Sequence, residues 1–282
     1  MERHLQYYPG LSMTQFRDPS VLRPFPKELE PYKGLIFCPL DLPPPPALDE
    51  ERLFAYINMR DERDRGTLAG SVSGATGPIP LDSPWLKYTA SWSKEQNTYP
   101  WRLLHLMRSD FAENGWEFYA EFKEWLPELA AYIESLPVSE FYTISLLNQK
   151  AGTDVGIHTD PDVWFGLRFY AVNRSDARIF FQKAKAPQDK RLLNLTRDSE
   201  GKIKQLPWSD FVEDEKIYAE YPQPCFPFHL TTTHAAHGVE AVPSDQENAR
   251  VTGFIICRVD PVEYAALLKR SVEKYQDYAI WW

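Results

Sequence analysis

The spacing of apolar positions changes character near residue 140. Before that point apolar residues recur every three or four positions. Leu53, Tyr56 and Ile57 predict one face of a helix that starts near Asp49. Phe118, Phe122, Trp125, Leu126, Leu129, Tyr132 and Ile133 predict an amphipathic helix over Trp116 to Ser135, interrupted or restarted at Pro127, since proline lacks the N–H that the helical ladder needs. From Phe141 the period shortens to that of strands. Extended runs cover Phe141–Asn148, Thr153–His158, Gly166–Val172, Arg178–Gln182, Phe226–Thr232, His237–Val242 and Arg250–Val259. Turn residues such as Asp160-Pro161 and Asn173-Arg-Ser-Asp176 separate them. A last helix begins with Asp260 as N-cap, Pro261 at the first helical position and Glu263 two positions on, with Tyr264, Leu267, Leu268 and Tyr275 as its apolar face.

Helices, then short antiparallel strands, then one helix predict an α+β fold with a double-stranded β-helix core, jelly-roll or cupin-like, and flanking helices. The expected organisation is a single domain over 1–282. Residues 1–140 supply an N-terminal arm and helices, with 1–47 an arm of little periodicity that ends in the Pro43–Pro46 run. Residues 141–259 form the core, with 183–221 a mixed-charge insertion, and 260–282 form the C-terminal helix. The Gly66–Pro84 stretch, rich in Gly, Ser, Thr and Pro, reads as a loop, and it and the insertion are candidate lids.

Composition narrows the function. A chain of 282 residues with 43% hydrophobic positions can bury a full core without disulfides or a structural metal. The balance of 31 Lys and Arg against 40 Asp and Glu repels phosphate backbones, so no nucleic-acid partner is expected. Cys38, Cys225 and Cys257 form no CxxC pair, which argues against a cysteine-rich metal site. The first ten residues lack the apolar region of a signal peptide, and no apolar run approaches the roughly 20 residues of a membrane helix. A cytoplasmic protein with no membrane partner is expected. Aromatics at 14% suit either a packed core or a wide pocket.

The candidate chemistry lies in the strand-rich half. In Gly156-Ile-His158-Thr-Asp160 the histidine and the aspartate are two apart, so on extended backbone both side chains point to one face. A later histidine on a facing strand would complete a set of two histidines and one carboxylate, which leaves metal positions open as in non-haem Fe(II) oxygenases. His234-Ala-Ala-His237 offers two such histidines; His237 is preferred, with His234 then a neighbouring donor or a wall residue. Arg250, 13 residues after His237, can return beside it on an antiparallel strand. A buried guanidinium needs an anion, and its fork suits the distal carboxylate of 2-oxoglutarate. Taken singly, each signal has a plain alternative: a surface histidine beside a capping aspartate, or an arginine at a strand end. The ordered set is far more specific. Ser145 and Asn148, on the strand leading in, are either contacts to the cosubstrate or ordinary ladder polar residues. Trp164 is either a pocket wall that meets substrate or core. His4, His105 and His229 are read as structural.

Ala151-Gly-Thr-Asp-Val-Gly-Ile-His158-Thr-Asp160, followed by Gly166-Leu-Arg168-Phe-Tyr170, resembles the aspartyl/asparaginyl β-hydroxylase-like group of Fe(II)/2-oxoglutarate-dependent dioxygenases. That group shows a GTxVxxHT stretch, LRxH one strand later, then a distal histidine and an arginine. The resemblance spans residues 142–259 apart from the insertion, and residues 1–140 have no counterpart in it. It implies that His158, Asp160 and His237 bind Fe(II), that Arg250 holds 2-oxoglutarate, and that O₂ is the oxidant. It implies that Arg168, with Tyr170 beside it, faces the pocket and binds a substrate carboxylate. Two positions depart from the group: Asp160 stands where the hydroxylases of epidermal-growth-factor-like domains have glycine, and Tyr170 replaces the usual histidine.

The expected function is therefore an oxygenase that oxidises an unactivated C–H bond of a carboxylate-bearing amino acid or amino-acid-derived small molecule. Hydroxylation is the default outcome, with ring closure or desaturation open to the same chemistry, and a biosynthetic role follows. The alternatives are a hydroxylase of protein or peptide side chains, and a cupin-type metal protein without 2-oxoglutarate.

Overall fold

The computed structural model describes residues 26–64, 101–110, 115–138, 140–159, 166–185, 195–197, 203–231 and 235–282. Strands β1 (Leu35–Pro39), β2 (Trp101–His105), β3 (Met107–Asp110), β4 (Gly115–Phe118) and β5 (Glu140–Gln149) come first. Helices α1 (Glu50–Asp64), α2 (Ala120–Trp125) and α3 (Pro127–Glu134) lie between them. Strands β6 (Val155–His158), β7 (Gly166–Asn173), β8 (Ile179–Gln182), β9 (Leu195–Arg197), β10 (Ile203–Gln205) and β11 (Ile217–Tyr218) follow. The chain then makes β12 (Pro227–Leu230), β13 (Ala236–Val239), β14 (Arg250–Arg258), helix α4 (Pro261–Lys274) and β15 (Ile280–Trp281).

Two antiparallel sheets carry the architecture. The larger has the order β15-β1-β12-β7-β14-β5-β2 and the smaller β11-β8-β13-β6. The fold is a mixed one, helices with antiparallel sheet. Strands from β5 onward step back and forth between the two sheets: β5, β7, β12 and β14 belong to the larger, β6, β8, β11 and β13 to the smaller.

Each face of the larger sheet is covered. On one face Leu167, Phe169, Val251 and Ile255 pack with Leu53, Tyr56 and Ile57 of α1 and Leu267 and Leu268 of α4 in the main apolar cluster. Each of these large side chains contributes about 1.5–3 kcal/mol by leaving water. Gly253 makes room on that face for the Phe169 ring, which occupies the place a Cβ would take. On the other face Phe37, Tyr170 and Phe228 meet Ile179 and Phe181 of the smaller sheet in a second cluster. The space between the sheets is thus lined with aromatic rings, which is where many of the chain's aromatics are used.

The predicted helix starts hold. Asp260 caps α4, its carboxylate accepting from the Val262 and Glu263 N–H groups, with Pro261 next. Pro127 restarts a helix after Leu126, as the missing proline N–H requires.

Other expectations need correction. Residues 116–135 are not all helix. The start forms β4, paired with β3, because Phe118 is buried and Glu117 exposed in strand alternation. Residues 27–47 are more than an arm. They form a 3-10 turn at Lys27–Tyr32 and then β1, which inserts between β12 and β15. All five residues of β1 are buried, so neither period appears in its sequence. The 183–221 insertion holds the β9–β10 hairpin, but its last part, β11, pairs with β8 and so belongs to the smaller sheet. The Gly66–Pro84 loop lies outside the described residues. No helix among the described residues is long and apolar enough to cross a membrane.

Candidate metal and cosubstrate site

Strand pairing places His158 opposite His237. The two residues are direct partners on antiparallel β6 and β13, with ring centroids 4.4 Å apart and planes tilted by 47°. The same row of the smaller sheet continues through Phe181 to Ile217. Phe181 belongs to the cluster between the sheets and lies 6.4 Å from the His237 ring, so the row faces the interior.

Both imidazoles are held in one sense. His158 Nδ1 lies 2.8 Å from the Gly156 carbonyl, and His237 Nδ1 lies 3.1 Å from the Ala235 carbonyl. A carbonyl only accepts, so each Nδ1 donates and the lone pair is on Nε2. Backbone carbonyls that fix a tautomer in this way are a common support for metal-binding histidines. Imidazole nitrogens are ligands suited to zinc, copper, iron and nickel alike. Asp160 and His234 lie outside the described residues, as do Trp164, His4 and Asp162. Among the described residues alone, no group of three His, Cys, Asp or Glu side chains could hold a metal.

Arg250 is almost wholly buried, at 2% exposure, on the face of β14 that looks into the same interior. Its Nη1 donates to the Ala177 carbonyl and its Nη2 to the Tyr170 hydroxyl at 2.6 Å. Ala177 leads into β8, whose Ile179 pairs with Val239, two residues beyond His237 on β13. No carboxylate among the described residues forms an ion pair with Arg250. Two neutral acceptors leave the buried charge unbalanced, an arrangement that costs several kcal/mol until an anion arrives.

Arg168 lies on the same face of β7 as Tyr170. Its guanidinium covers the Phe254 ring, Cζ 4.1 Å from the centroid, and the side chain is 7% exposed. A Cβ on Gly166 would come 2.8 Å from Nη1, so the glycine leaves the space the guanidinium fills. Asp154 is exposed and lines a separate cleft.

Ser145 and Asn148 part company. Ser145 pairs with Phe254 and so shares the inner face. Asn148 is opposite Val251, whose side chain joins the helix-covered cluster, so it points away from the histidines. Its amide donates to Asn248 Oδ1 at 3.0 Å. Positions three apart on a strand cannot share a face, which the sequence already implied.

His105, read from the sequence as structural, also lies on the inner face. It pairs with Ser145 across β2 and β5, and its Nδ1 lies 2.8 Å from the Ser145 hydroxyl. Its signal was hidden because β2 was not expected. His229, by contrast, sits on the helix-covered face, hydrogen-bonded to Tyr264 of α4 at 3.1 Å. A cleft of about 630 Å³ lies elsewhere: it opens on the outer face of the smaller sheet beside Arg178, Phe180, Tyr218 and Glu240. Phe180 and Phe181 alternate along β8, so this cleft is separated from the histidine row by the sheet itself.

No family model matches the sequence, and no curated protein matches it. Solved structures with some likeness include an oxidoreductase of the 2OG-Fe(II) oxygenase family from Burkholderia pseudomallei, at 12% identity and TM-score 0.33, covering 59% of this chain and 69% of that one. A Pseudomonas putida prolyl-4-hydroxylase has 11% identity and TM-score 0.32, covering 80% and 94%. A Cellulomonas parahominis L-ribose isomerase has 12% identity and TM-score 0.31, covering 74% and 83%. Likeness this weak leaves the functional reading to the side chains.

Proposed function

We propose that this chain is an Fe(II)- and 2-oxoglutarate-dependent oxygenase on a double-stranded β-helix. It would oxidise an unactivated C–H bond of a carboxylate-bearing amino acid or a small molecule derived from one. The observation that carries the reading is the inward-facing pair His158–His237, each Nδ1 donating to a backbone carbonyl so that Nε2 bears the lone pair. The strand order, with β5, β7, β12 and β14 in one sheet and β6, β8, β11 and β13 in the other, supports the β-helix.

His158, His237 and Asp160 would hold the iron, which when bound supplies O₂ activation coupled to decarboxylation of 2-oxoglutarate to succinate and CO₂. Arg250 binds the distal carboxylate of 2-oxoglutarate, and the neutral Tyr170 hydroxyl orients the guanidinium. The aromatic lining from Tyr170 through Phe228, Phe37 and Phe181 to His237 keeps water away from that ion pair, which strengthens it. Arg168 takes the substrate carboxylate. A cupin-type metal protein without 2-oxoglutarate would leave Arg250 without its anion.

The test is succinate formation from 2-oxoglutarate by purified protein with Fe(II) and a panel of amino acids and derivatives. Succinate that rises with one or a few panel members supports the reading. Protein that binds the metal yet forms no succinate in any arm refutes it.

A further inference from the structure

The cleft of about 630 Å³ on the outer face of the smaller sheet has no part in the oxygenase reading. Its floor is one row of cross-strand partners, Tyr218, Phe180 and Gly238. A Cβ on Gly238 would meet the Phe180 ring, so that ring lies flat across the bare backbone of β13. A phenylalanine on the outer side of a sheet needs cover, and here the cover is charged. Lys216 Nζ stands 4.1 Å from the Phe180 centroid, and Phe180 is 6% exposed. Arg178 Cζ stands 4.1 Å from the Tyr218 centroid, and the two rings are 6.3 Å apart. Each ring of the cleft therefore already holds a cation on its face, where the ring quadrupole attracts positive charge.

The charges around this floor are unbalanced. Arg178 is fully engaged: its backbone N and its Nε donate to Glu240 Oε2 at 3.0 and 3.1 Å, and its Nη1 lies 3.5 Å from Glu220. It is no receptor for an anion. Asp154, Asp176 and Lys216 also line the cleft, and none of them forms an ion pair among the described residues. Carboxylates in the lining outnumber cations three to two, Asp154, Asp176 and Glu240 against Arg178 and Lys216. The chain as a whole carries a formal charge of −9, which acts in the same sense. Lys216 is exposed and held by the ring alone, so another cation can displace it. The two carboxylates stand at the loop end of the cleft. Asp176 is four residues before Phe180, and Asp154 precedes Val155, the partner of Val239. The spacing of residues along a strand and of strands across a sheet puts both roughly 12 Å from Phe180, measured between Cα atoms.

We infer that this cleft is a binding site for a linear diamine or polyamine. One ammonium group takes the place of Lys216 on the Phe180 ring, the methylene chain runs along the cleft beside Tyr218, and the far ammonium meets the carboxylates of Asp154 and Asp176. The sheet separates this site from the histidine row, and the proposal stands without the oxygenase reading.

The test is calorimetric titration of the full chain at low ionic strength with octamethylenediamine, trimethylenediamine, octanedioate and tetralysine. The two diamines carry the same charge, so general attraction to an acidic protein treats them alike. The wild type is expected to bind octamethylenediamine about ten-fold more tightly than trimethylenediamine, which is too short to reach ring and carboxylates together, and to bind no octanedioate. Asp154→Asn combined with Asp176→Asn weakens the long diamine about five-fold, as for exposed ion pairs. Phe180→Leu weakens it by a similar factor through loss of the ring face. Lys216→Ala removes the resident cation and strengthens binding about three-fold, whereas Lys269→Ala, the same charge change on the exposed side of α4, leaves it unaltered. If Phe180→Leu does not fold, the variants at the exposed positions 154, 176 and 216 decide the matter. Equal affinity for the two diamines, no binding of either, weaker binding in Lys216→Ala, or unchanged binding in the double aspartate variant overturns the proposal. Binding of octanedioate, or of tetralysine in place of the diamine, overturns it too.

Discussion

The Arg250 guanidinium lies over the ring of Tyr170, Cζ 4.9 Å from its centroid, and donates to the Tyr170 hydroxyl at 2.6 Å. That hydroxyl is 3.1 Å from the Tyr221 hydroxyl, which accepts from the Ile179 N–H at 2.9 Å. Two tyrosines fastened to the start of β8 thus aim the arginine. Burial holds the Tyr170 hydroxyl well above its ordinary pKa, despite the opposing pull of Arg250, so it stays neutral and cannot balance the charge. Nor does any carboxylate among the described residues balance it.

Arg250→Gln should therefore weaken 2-oxoglutarate binding by at least about thirty-fold, since losing one partner of a buried charged pair costs on the order of 2–5 kcal/mol. Tyr170→Phe should cost about 1 kcal/mol of stability and weaken 2-oxoglutarate by a smaller factor, because only the orienting hydroxyl is lost. Calorimetric titration with 2-oxoglutarate and urea unfolding measure the two effects. Unchanged affinity in Arg250→Gln would remove Arg250 from the site.

His158→Ala and His237→Ala should each abolish Mn(II) and Fe(II) binding while the far-ultraviolet circular dichroism stays that of the wild type. His234→Ala should bind metal normally. Metal retained by His237→Ala and lost by His234→Ala would transfer the distal role to His234.

Gly238→Ala tests whether strand contact sets the metal geometry. An added Cβ would come 2.6 Å from the Val155 carbonyl oxygen on β6 and closer still to the Phe180 ring. The flexible answer is for β13 to move away from β6, which separates His237 from His158. Overpacking of this kind costs about 1–3 kcal/mol. The expected result is a lower melting temperature together with metal affinity reduced at least ten-fold. Normal metal affinity in a destabilised variant would show that the pair does not depend on this strand contact.

His229 predicts an acid limb of stability. Burial lowers its pKa from the ordinary 6.5 to about 4, with the Leu35 carbonyl pulling the other way. The unfolded chain then binds the proton more readily than the folded one. The stabilisation is complete above pH 6.5 and is lost as pH falls toward 4, by up to about 3 kcal/mol at 1.36 kcal/mol per unit. Urea unfolding across that range should show the slope in wild type and a flatter profile in His229→Gln. Equal slopes in both proteins would place the acid sensitivity elsewhere.

The sequence by itself determined the elements whose pattern is local. Asp260-Pro261 starts a helix because a carboxylate can accept from the next two N–H groups, and Pro127 breaks one because it has no N–H to give. Six of the seven extended runs from Phe141 onward appear as strands within a residue or two of the expected ends because turn residues bound them; the seventh, His237–Val242, stops three residues short, at Val239. Side chains two apart on β7, Arg168 and Tyr170, share the inner face for the same local reason. Tertiary structure decided the rest. β1 is buried on both faces, so no periodicity marks it, and only its pairing with β12 and β15 makes it a strand. The meeting of His158 with His237 across 79 residues depends on the register of β6 with β13, which no local pattern encodes. The same holds for His105: its place beside Ser145 follows from β2 adding to the edge of the larger sheet, a long-range contact that appears only when the strands assemble.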